Sequence, residues 1–297
     1  MSASFTQVLM DTSSPDKSGQ ALNAQRFQML EDIARELAGE VVFPTSFDLV
    51  TRLRKALQNP NYSLEQIATL LSLEPLISTR LISLANSAAY NTSGQEIRDV
   101  KRAVARLGLN NVRSTAMAIA MNQLLRSKDM VAFDEVAQKL WQHSLHTASA
   151  AHVLARNLTG LNPDEAMLAG MVHDLGAFYM LYRATQYAEL RDRPDTVTYL
   201  ITQWHDSIGH SLLLALGLPE EVADAMRDHD LPRALPATPQ NLADVVYIAN
   251  LLAGGAREWM HQGVDSSVVD GIDFGATYGA LIPEIDAHLQ EVRAAFS

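Results

Sequence analysis

The sequence predicts an all-α protein, and three features of its composition and patterning carry that prediction. Of the 297 residues, 47% are apolar, and glycine and proline are few, at 15 and 11. Alanine and leucine are abundant helix formers, whereas aromatic residues, which favour strands, make up 6%. No alternating apolar pattern is long enough to build a sheet. A chain of this length and apolar content can bury a substantial helical core.

Apolar residues at helical spacing define the predicted helices of the first half of the chain. Residues 22–38 place Phe27, Leu30 and Ile33 on one stripe. Ser63 and Gln66 have the form of a capping box, in which each side chain bonds the backbone amide of the other residue. Gly108 interrupts the last apolar stretch. The predicted helices cover residues 22–38, 46–58, 64–71, 76–88, 97–107 and 109–125.

The second half of the chain starts with a long helix and a well-marked helix N-terminus. Asn162 is a suitable cap, Pro163 suits a first turn, and the two acids that follow are favoured there by the helix dipole. Gly217 and Pro219 separate two later helices. The predicted helices cover residues 134–158, 163–173, 196–215, 219–229 and 241–260. Residues 261–297 mix turns with one or two short helices.

Composition excludes several classes of function. With no cysteine, the chain has no disulfide framework, no thiolate zinc site and no cysteine nucleophile. A net charge of −11 argues against DNA binding, because phosphate groups repel an acidic surface. One basic cluster is interpreted as a solvated helix face. Its members are Arg98, Lys101, Arg102, Arg106 and Arg113.

Neither a membrane span nor a secretory signal is expected. No uninterrupted apolar run reaches the roughly 18–20 residues that cross a bilayer. The first twenty residues lack the basic start and apolar core of a signal peptide. We therefore expect a cytoplasmic protein that does not associate with membranes.

The strongest chemical signal is the dipeptide His173-Asp174 inside an apolar helix end. Burying an ionised carboxylate is costly unless it has a partner, and a divalent metal bound by both side chains would supply one. The alternative is a satisfied polar pair at a helix terminus. Gly170 and Gly176 would allow close backbone approach around these residues.

Further histidines strengthen the metal interpretation. His143 precedes the dipeptide on its own helix, and His205 and His229 follow it, each within or at the end of another helix. Four histidines from four helices, with Asp174, are typical of a metal site in a bundle core. The histidines His146, His152 and His210 are interpreted as structural or exposed.

Five segments in order resemble the HD-domain phosphohydrolases. Trp141-x-His143-Ser144 resembles the segment with the first histidine, and residues 169–176 (AGMVHDLG) resemble the segment that names the family. His205-x-x-x-Gly209 resembles the next segment. The last two depart from the pattern. In Asp228-His229-Asp230 an aspartate replaces the second histidine of a pair, and Asn250 occupies the position of an aspartate ligand.

The upstream half narrows the resemblance to the HDOD subfamily, whose name stands for an HD-related output domain. Phe43-Pro44 resembles its opening, and Leu84–Tyr90 (LANSAAY) closely resembles its most distinctive stretch. The resemblance covers residues 41–255 and implies a two-lobed helical bundle with an HD-domain-like C-terminal lobe. The predicted division is an N-terminal tail and helix (1–40), a helical lobe (41–130), an HD-like lobe (131–255) and a C-terminal extension (256–297).

The resemblance also implies a metal centre. One divalent ion (Fe, Mn, Zn or Mg) would be held by His143, His173 and Asp174, with Asn250 and water, and a second by His205, His229 and Asp230. Because the neutral amide of Asn250 is a weaker ligand than a carboxylate, the centre is expected to be degenerate.

Two functions follow from this resemblance. The first is a bacterial-type signal-transduction output module that acts by binding a signalling protein or a nucleotide. The alternative is a metal-dependent phosphohydrolase or phosphodiesterase acting on a nucleotide or cyclic dinucleotide. Phosphate chemistry needs nearby cations, and Arg156, Arg183 and Arg227 are the nearest candidates in sequence. Their scarcity favours the signalling function. The oligomeric state is not predicted.

Overall fold

The computed structural model describes residues 19–38, 47–59, 62–88, 90–126, 128–255 and 274–296. Within these ranges the chain is helical and has no strand, so the all-α prediction is confirmed. Outside the described residues lie Phe43-Pro44, residues 1–18 of the N-terminal tail and residues 256–273 of the C-terminal extension. The helices are α1 (Gln20–Ala38), α2 (Asp48–Gln58), α3 (Leu64–Ser72), α4 (Pro75–Ala85), α5 (Val100–Leu125), α6 (Asp134–Leu158), α7 (Pro163–Val172), α8 (Leu175–Ala184), α9 (Ala188–Arg191), α10 (Pro194–Ala215), α11 (Glu220–Ala225), α12 (Leu242–Leu252), α13 (Gly275–Gly279) and α14 (Ile282–Phe296).

Local sequence signals set several helix boundaries as predicted. Ser63 and Gln66 form both hydrogen bonds of the capping box at the start of α3, with distances of 3.2 and 2.8 Å. The Asn162 side chain accepts from the first backbone amides of α7, and Pro163 occupies its first turn. Gly108 has φ 76° and ψ 167°, which kinks α5 and separates the two helices expected there. These boundaries depend on neighbouring residues alone, which is why the sequence reveals them.

Three predicted helices end three or more residues early in the structure, the first of them (76–88) at Ala85, and two helices, α8 and α9, were not expected. The helix predicted for 219–229 ends at Ala225, because Asp228 has a φ of 57°, outside the right-handed helical region. The helix predicted for 241–260 ends at Leu252, because Gly254 and Gly255 take positive φ values. Helix α8 was missed because eight of its ten residues are buried, so its apolar residues do not follow the single stripe that marks an amphipathic helix.

One residue that was predicted to lie on the buried apolar stripe of α1 is exposed. Phe27 is 47% exposed, whereas the buried face of α1 consists of Leu22, Arg26, Met29, Leu30 and Ile33. This face packs against α9 and α10, so the position of the second-half helices, rather than local spacing, decides which side of α1 is covered.

The first lobe is built around α5. Helices α2, α3 and α4 pack against it, and their buried faces contribute Leu53, Leu71 and Leu81 to the core. Asn86 closes the segment before α5 by pairing both ways with the backbone of Ile97, at 2.7 and 2.8 Å.

The second lobe consists of α6, α7, α8, α10 and α12, with α6 and α7 in the most extensive contact and α8 lying along α10. Helix α5 also packs on α7 and α8, so it belongs to both lobes. The C-terminal α14 packs on α6 and on α4 and therefore also touches both. A continuous apolar core runs through the two lobes.

Close backbone approach in the second lobe depends on glycine. A Cβ added at Gly170 would lie 2.8 Å from the Thr147 carbonyl oxygen of α6. A Cβ at Gly176 would collide with the carbonyl oxygen of His205 and would lie 2.7 Å from the Gly209 amide. Both obstacles are backbone atoms that cannot rotate away. The spacing between α8 and α10, and hence the position of His205, requires glycine at residue 176.

The predicted solvated basic face is confirmed for three of its five residues. Arg98, Lys101 and Arg102 are exposed and pair with nearby acids. Arg106 instead donates to the carbonyl oxygen of Ala85 at 3.0 Å. Arg113 is half-buried and lines a cavity.

Among the described residues, none of the helices taken singly has the length and apolar character needed to cross a membrane. The pair α3 and α4, bent by 120° at their junction, meets those two criteria when taken together.

A stack of two histidines joins the C-terminal helix to the second lobe. His152 on α6 and His288 on α14 lie with parallel rings whose centroids are 4.5 Å apart. Burial, the neighbouring His152 and Arg156 together lower the pKa of His288 to about 3. Burial also lowers the pKa of His152, so both rings are neutral at pH 7 and stack without charge, beside the ion pair between Arg156 of α6 and Glu284 of α14.

Replacing Gly176 with alanine should destabilise the protein by about 1–3 kcal/mol, the usual cost of overpacking. The added methyl would force α8 away from the His205 backbone. Thermal and urea denaturation measure the change. Gly160→Ala is the matched control, because a Cβ there meets nothing within 4 Å. Equal stability of the two variants would contradict the close packing of α8 on α10.

Acidification should weaken the folded state through His288. Its folded pKa of about 3 lies below the ordinary value of 6.5, so the unfolded chain takes up the proton first as pH falls. Stability is fully present above about pH 6.5 and is lost progressively below it, by about 1–2 kcal/mol at pH 5. Urea denaturation between pH 7.5 and 5 should show a shallower loss for His288→Phe than for the unmodified protein. His210→Phe, outside the stack, should keep the original slope, and a slope unchanged by His288→Phe would refute this role.

Candidate metal centre

The predicted site residues converge from six helices and their ends. His143 lies on α6, His173 caps α7, Asp174 precedes α8, and His205 lies on α10. His229 and Asp230 follow the turn after α11, and Asn250 lies on α12. The four histidines and Asp174 are at most 3% exposed. The structure thus brings together all seven residues that the sequence singled out.

Asp174 occupies the middle of this cluster, with its two oxygens facing different histidines. Oδ2 lies 3.1 Å from His173 Nε2 and 3.7 Å from His143 Nε2. The two Nε2 atoms are themselves 3.1 Å apart. Oδ1 lies 3.2 Å from His229 Nε2 and 3.5 Å from His205 Nε2. One carboxylate therefore bridges two three-residue groups, whose ligand atoms lie within 4.8 Å of one another in each group.

Backbone carbonyls orient all four imidazoles in the same way. The Nδ1 atom lies within hydrogen-bond distance of a carbonyl oxygen in every case. The pairs are His143 with Ala253 (3.3 Å), His173 with Gly170 (2.8 Å), His205 with Ile201 (2.8 Å) and His229 with Met226 (2.7 Å). When Nδ1 donates its proton to the carbonyl, a neutral ring has a lone pair on Nε2, directed at Asp174. Metal-bound histidines are commonly held by such bonds.

This donor set fits a divalent metal. In the neutral tautomers, His143 Nε2, His173 Nε2 and Asp174 Oδ2 are three acceptors facing one another with no proton between them. Asp174 Oδ2 is buried and makes no hydrogen bond in the described structure. A cation at each group would neutralise the carboxylate and use the converging lone pairs, as imidazole and carboxylate ligands do in tetrahedral and octahedral sites.

Electrostatics differ between the two groups. Burial and the neighbouring His173 lower the pKa of His143 to about 4, so this ring is neutral. Burial also opposes charging of His205, but its hydrogen bond to Asp230 and the charges of Asp174 and Asp206 outweigh burial and raise its pKa to about 9. Asp230 and Asp174 likewise raise the pKa of His229 well above its ordinary value. Without a metal, protons on His205 and His229 supply the positive charge that the carboxylates need.

Asn250 contacts the second group of ligands. Its Nδ2 donates to Asp230 Oδ1 at 2.9 Å and to the His229 carbonyl at 3.1 Å. Its Oδ1 is buried without a hydrogen-bond partner among the described residues. The amide therefore restrains Asp230, whereas the sequence analysis placed Asn250 beside His143 and His173.

Asp206 is a site residue that the sequence analysis missed. Its Oδ1 lies 3.0 Å from His229 Nδ1 and 3.2 Å from His205 Nε2. The signal was present, because His205-Asp206 repeats the His-Asp dipeptide that drew attention to His173-Asp174. Adjacent residues of a helix point in different directions, so the sequence provided no reason to place Asp206 in the same site as His205. In the folded chain, the turn that carries His229 brings its ring against the Asp206 carboxylate.

The other histidines among the described residues lie elsewhere. His146 is on α6 outside the cluster, and His152 stacks on His288. His210 was expected to face solvent, but its side chain is only 13% exposed and bonds Asp224 at 3.0 Å. The turn after α10 places Asp224 over it.

The three arginines proposed to lie near the histidines pair with acids away from the centre. Arg156 pairs with Glu284, Arg183 with Glu36, and Arg227 with Asp224. The exposed edge of the centre is instead acidic, since Asp206 and Asp230 have side chains that are 30% and 21% accessible. A phosphate group approaching this edge would meet negative charge.

Comparisons with known proteins agree with this architecture. An uncharacterized protein of Treponema pallidum (strain Nichols) is 30% identical over 214 residues, which are 67% of this chain and 40% of that protein. This chain therefore spans less than half the length of that relative.

Solved structures share the fold. A Shewanella amazonensis SB2B protein, provisionally described as a metal-dependent phosphohydrolase, superposes with a TM-score of 0.68 at 24% identity, covering 92% of this chain and all of that one. An HDOD domain protein of unknown function from Geobacter sulfurreducens gives a TM-score of 0.56 at 24% identity over 91% of this chain and 97% of that one. A Marinobacter aquaeolei VT8 protein, provisionally described as a signal transduction protein, gives 0.54 at 20% identity over 91% and 65%.

The family model of the HDOD domain matches residues 43–232. This range covers nearly all of the first predicted lobe and residues 131–232 of the second, and it contains the candidate ligands from His143 to Asp230 but not Asn250. Since the match extends over more than half of the sequence, the chain belongs to the HDOD family.

Proposed function

We propose that this protein is a signal-transduction output module whose metal centre stabilises a binding-competent fold and does not hydrolyse phosphoesters. The observation that carries the proposal is the environment of Asp174, which is buried among four inward-facing Nε2 atoms. Four histidines from separate helices or helix ends share that one charge. A metal there would join the second-lobe helices to one another, and the module would act by binding a signalling protein or a nucleotide.

The ligand chemistry favours some metals over others. His143, His173 and Asp174 would hold one ion, and Asp174, His205 and His229 a second. Sets rich in imidazole suit iron and zinc, tolerate manganese, and suit magnesium least, because magnesium prefers oxygen ligands and bound water. When bound, such an ion would lower the pKa of a coordinated water and could provide a hydroxide nucleophile.

Two features weigh against hydrolysis. Catalytic metal sites keep an open coordination position, whereas here the histidines and Asp174 are almost fully buried. Phosphoryl transfer also depends on cations that neutralise the developing negative charge. The arginines nearest in sequence pair with acids elsewhere, and the accessible edge consists of the carboxylates Asp206 and Asp230.

The phosphohydrolase alternative is supported by one feature, the carboxylate that bridges two ligand groups. A shared carboxylate is what a two-metal hydrolytic site requires. The asparagine at residue 250, where the family pattern has an aspartate, leaves that bridge in place. It removes one negative charge from the set of metal ligands. We therefore keep hydrolysis as the outcome that would replace the signalling proposal.

Elemental mass spectrometry of the purified protein should find near-stoichiometric iron, zinc or manganese. The double variant His173→Ala/Asp174→Ala should lose this metal, because both substitutions remove ligands of the first group and Asp174 also belongs to the second group. The matched control is His210→Ala/Asp224→Ala, which removes a His–Asp pair outside the centre and should keep the metal. Absence of metal from the unmodified, folded protein would refute the metal proposal.

The metal-loaded protein should cleave bis-p-nitrophenyl phosphate no faster than the His173→Ala/Asp174→Ala variant. The closed, acidic site offers the substrate neither access nor positive charge. Turnover by the loaded protein that disappears in this variant and persists in the His210→Ala/Asp224→Ala control would show that the centre is hydrolytic and would overturn the signalling proposal.

Asn250→Asp should change stability in opposite directions with and without metal. In the metal-free protein the new carboxylate would face Asp230, losing a 2.9 Å hydrogen bond and adding like charge, for a cost of about 1–3 kcal/mol. With metal, the added negative charge should tighten binding. Thermal denaturation with and without zinc, together with metal titration, measures both effects. A variant as stable as the unmodified protein in both states would contradict the contact between Asn250 and Asp230.

A further inference from the structure

A second site lies between the two lobes, away from the metal centre. It is a cavity of about 70 Å³ bounded by α2, α5, α7 and the turn between α10 and α11. We propose that this cavity binds a small organic carboxylate with an apolar body, held by Arg54 and Arg113. This inference is independent of the proposed output function, since it concerns a ligand and a site that the metal centre does not share.

The walls of the cavity are largely apolar. By volume it accommodates on the order of five water-sized groups. The side chains that surround it are aliphatic or thioether groups, which offer an organic ligand dispersion contacts but no hydrogen bonds. They are Val50, Leu53, Leu57, Ala116, Met117, Leu168, Leu216 and Leu218. Such walls favour a hydrocarbon body over a hydrated inorganic ion.

Arg113 is the first of two cationic groups in this apolar setting. It lies half-buried on α5, among the buried residues Val112, Ala116 and Met117. In the part of the chain that the structure describes, its guanidinium makes neither a hydrogen bond nor an ion pair. None of its nitrogens is among the fully buried polar atoms that lack a partner, so the guanidinium keeps contact with water and is available to an anion that enters the cavity.

Arg54 is the second cation and reaches the cavity from α2. One of its Nη atoms donates to the carbonyl oxygen of Ala215, which fixes the guanidinium near the end of α10. Its Nε is buried and has no hydrogen-bond partner among the described residues. The side chain is therefore held in place with donor capacity to spare. No acidic residue is among those that line the cavity.

Two guanidinium groups beside an apolar wall match the chemistry of a carboxylate with a hydrocarbon body. Arginine binds planar carboxylates through two parallel hydrogen bonds, and these bonds strengthen where water is excluded. The rest of the chain is acidic, with a net charge of −11, so this paired positive charge is a local feature. The two guanidinium groups would attract an anion to this cavity.

The position of the cavity makes a ligand a bridge between elements of both lobes. Arg54 and Arg113 belong to α2 and α5 of the first lobe, whereas Leu168 and Leu218 belong to the second. Leu168 lies on α7, the helix that ends at His173, and Leu218 precedes α11, after which His229 follows. A bound carboxylate would thus stabilise the packing between the lobes, and the site is suited to sensing a small metabolite.

Calorimetric titration of the full-length protein with butanoate and hexanoate tests the proposal. We expect saturable one-site binding that is at least tenfold stronger than binding of the matched alcohols, butanol and hexanol. Arg113→Gln should weaken hexanoate binding at least tenfold without altering the thermal midpoint of the free protein, because Arg113 makes no bond within the described chain. Arg102→Gln, an exposed arginine on the same helix, should bind hexanoate as the unmodified protein does.

A third variant tests the space inside the cavity separately from the charge of its two arginines. Leu218→Trp keeps both arginines but fills the cavity, and it should abolish hexanoate binding while the protein stays folded. Saturable binding of hexanol equal to that of hexanoate, or unchanged hexanoate binding by Arg113→Gln, would overturn the proposal. So would the absence of saturable binding by either carboxylate, or binding of inorganic phosphate in preference to both.

Discussion

The second lobe depends on the burial of one negative charge, that of Asp174. An ionised carboxylate taken out of water costs several kcal/mol, and removing a partner from such a buried group typically costs about 3–5 kcal/mol. The protein meets this cost by surrounding the carboxylate with four imidazoles from separate helices, all directed inward by backbone carbonyls. Because each of these helices must hold its ring within reach of Asp174, the carboxylate sets how α6, α7, α8 and α10 meet.

Backbone packing and the polar centre are parts of one arrangement. Gly170 lets α7 approach α6, and Gly176 lets α8 approach α10, so the helices come close enough for imidazoles to share a carboxylate. The left-handed backbone at Asp228 reverses the chain after α11 and directs His229 inward. The same compactness closes the centre to large substrates. The burial of the ligands supports the proposed binding role over hydrolysis.

Cationic side chains are distributed in a way that separates the two proposed sites. Around the metal centre, arginines are paired with acids at a distance from the ligands, and the accessible edge carries Asp206 and Asp230. Between the lobes the opposite holds, since Arg54 and Arg113 line an apolar cavity that no acid enters. The first site suits cations and the second suits an organic anion. A ligand between the lobes would act on the same helices that carry His173 and His229.

The sequence by itself determined the all-α class, most helix boundaries and seven residues that meet at the centre. These depend on capping residues, glycine breaks and ordered motifs, all of which are local or carried by resemblance. It did not reveal α8, which is buried along most of its length, nor the exposure of Phe27, nor the role of Asp206. Tertiary structure alone decided that Asn250 bonds Asp230 and that Arg113 leaves the basic surface to line a cavity. The physical reason is that a side chain's partner is set by helices distant in sequence, and helical periodicity specifies only which residues share a face.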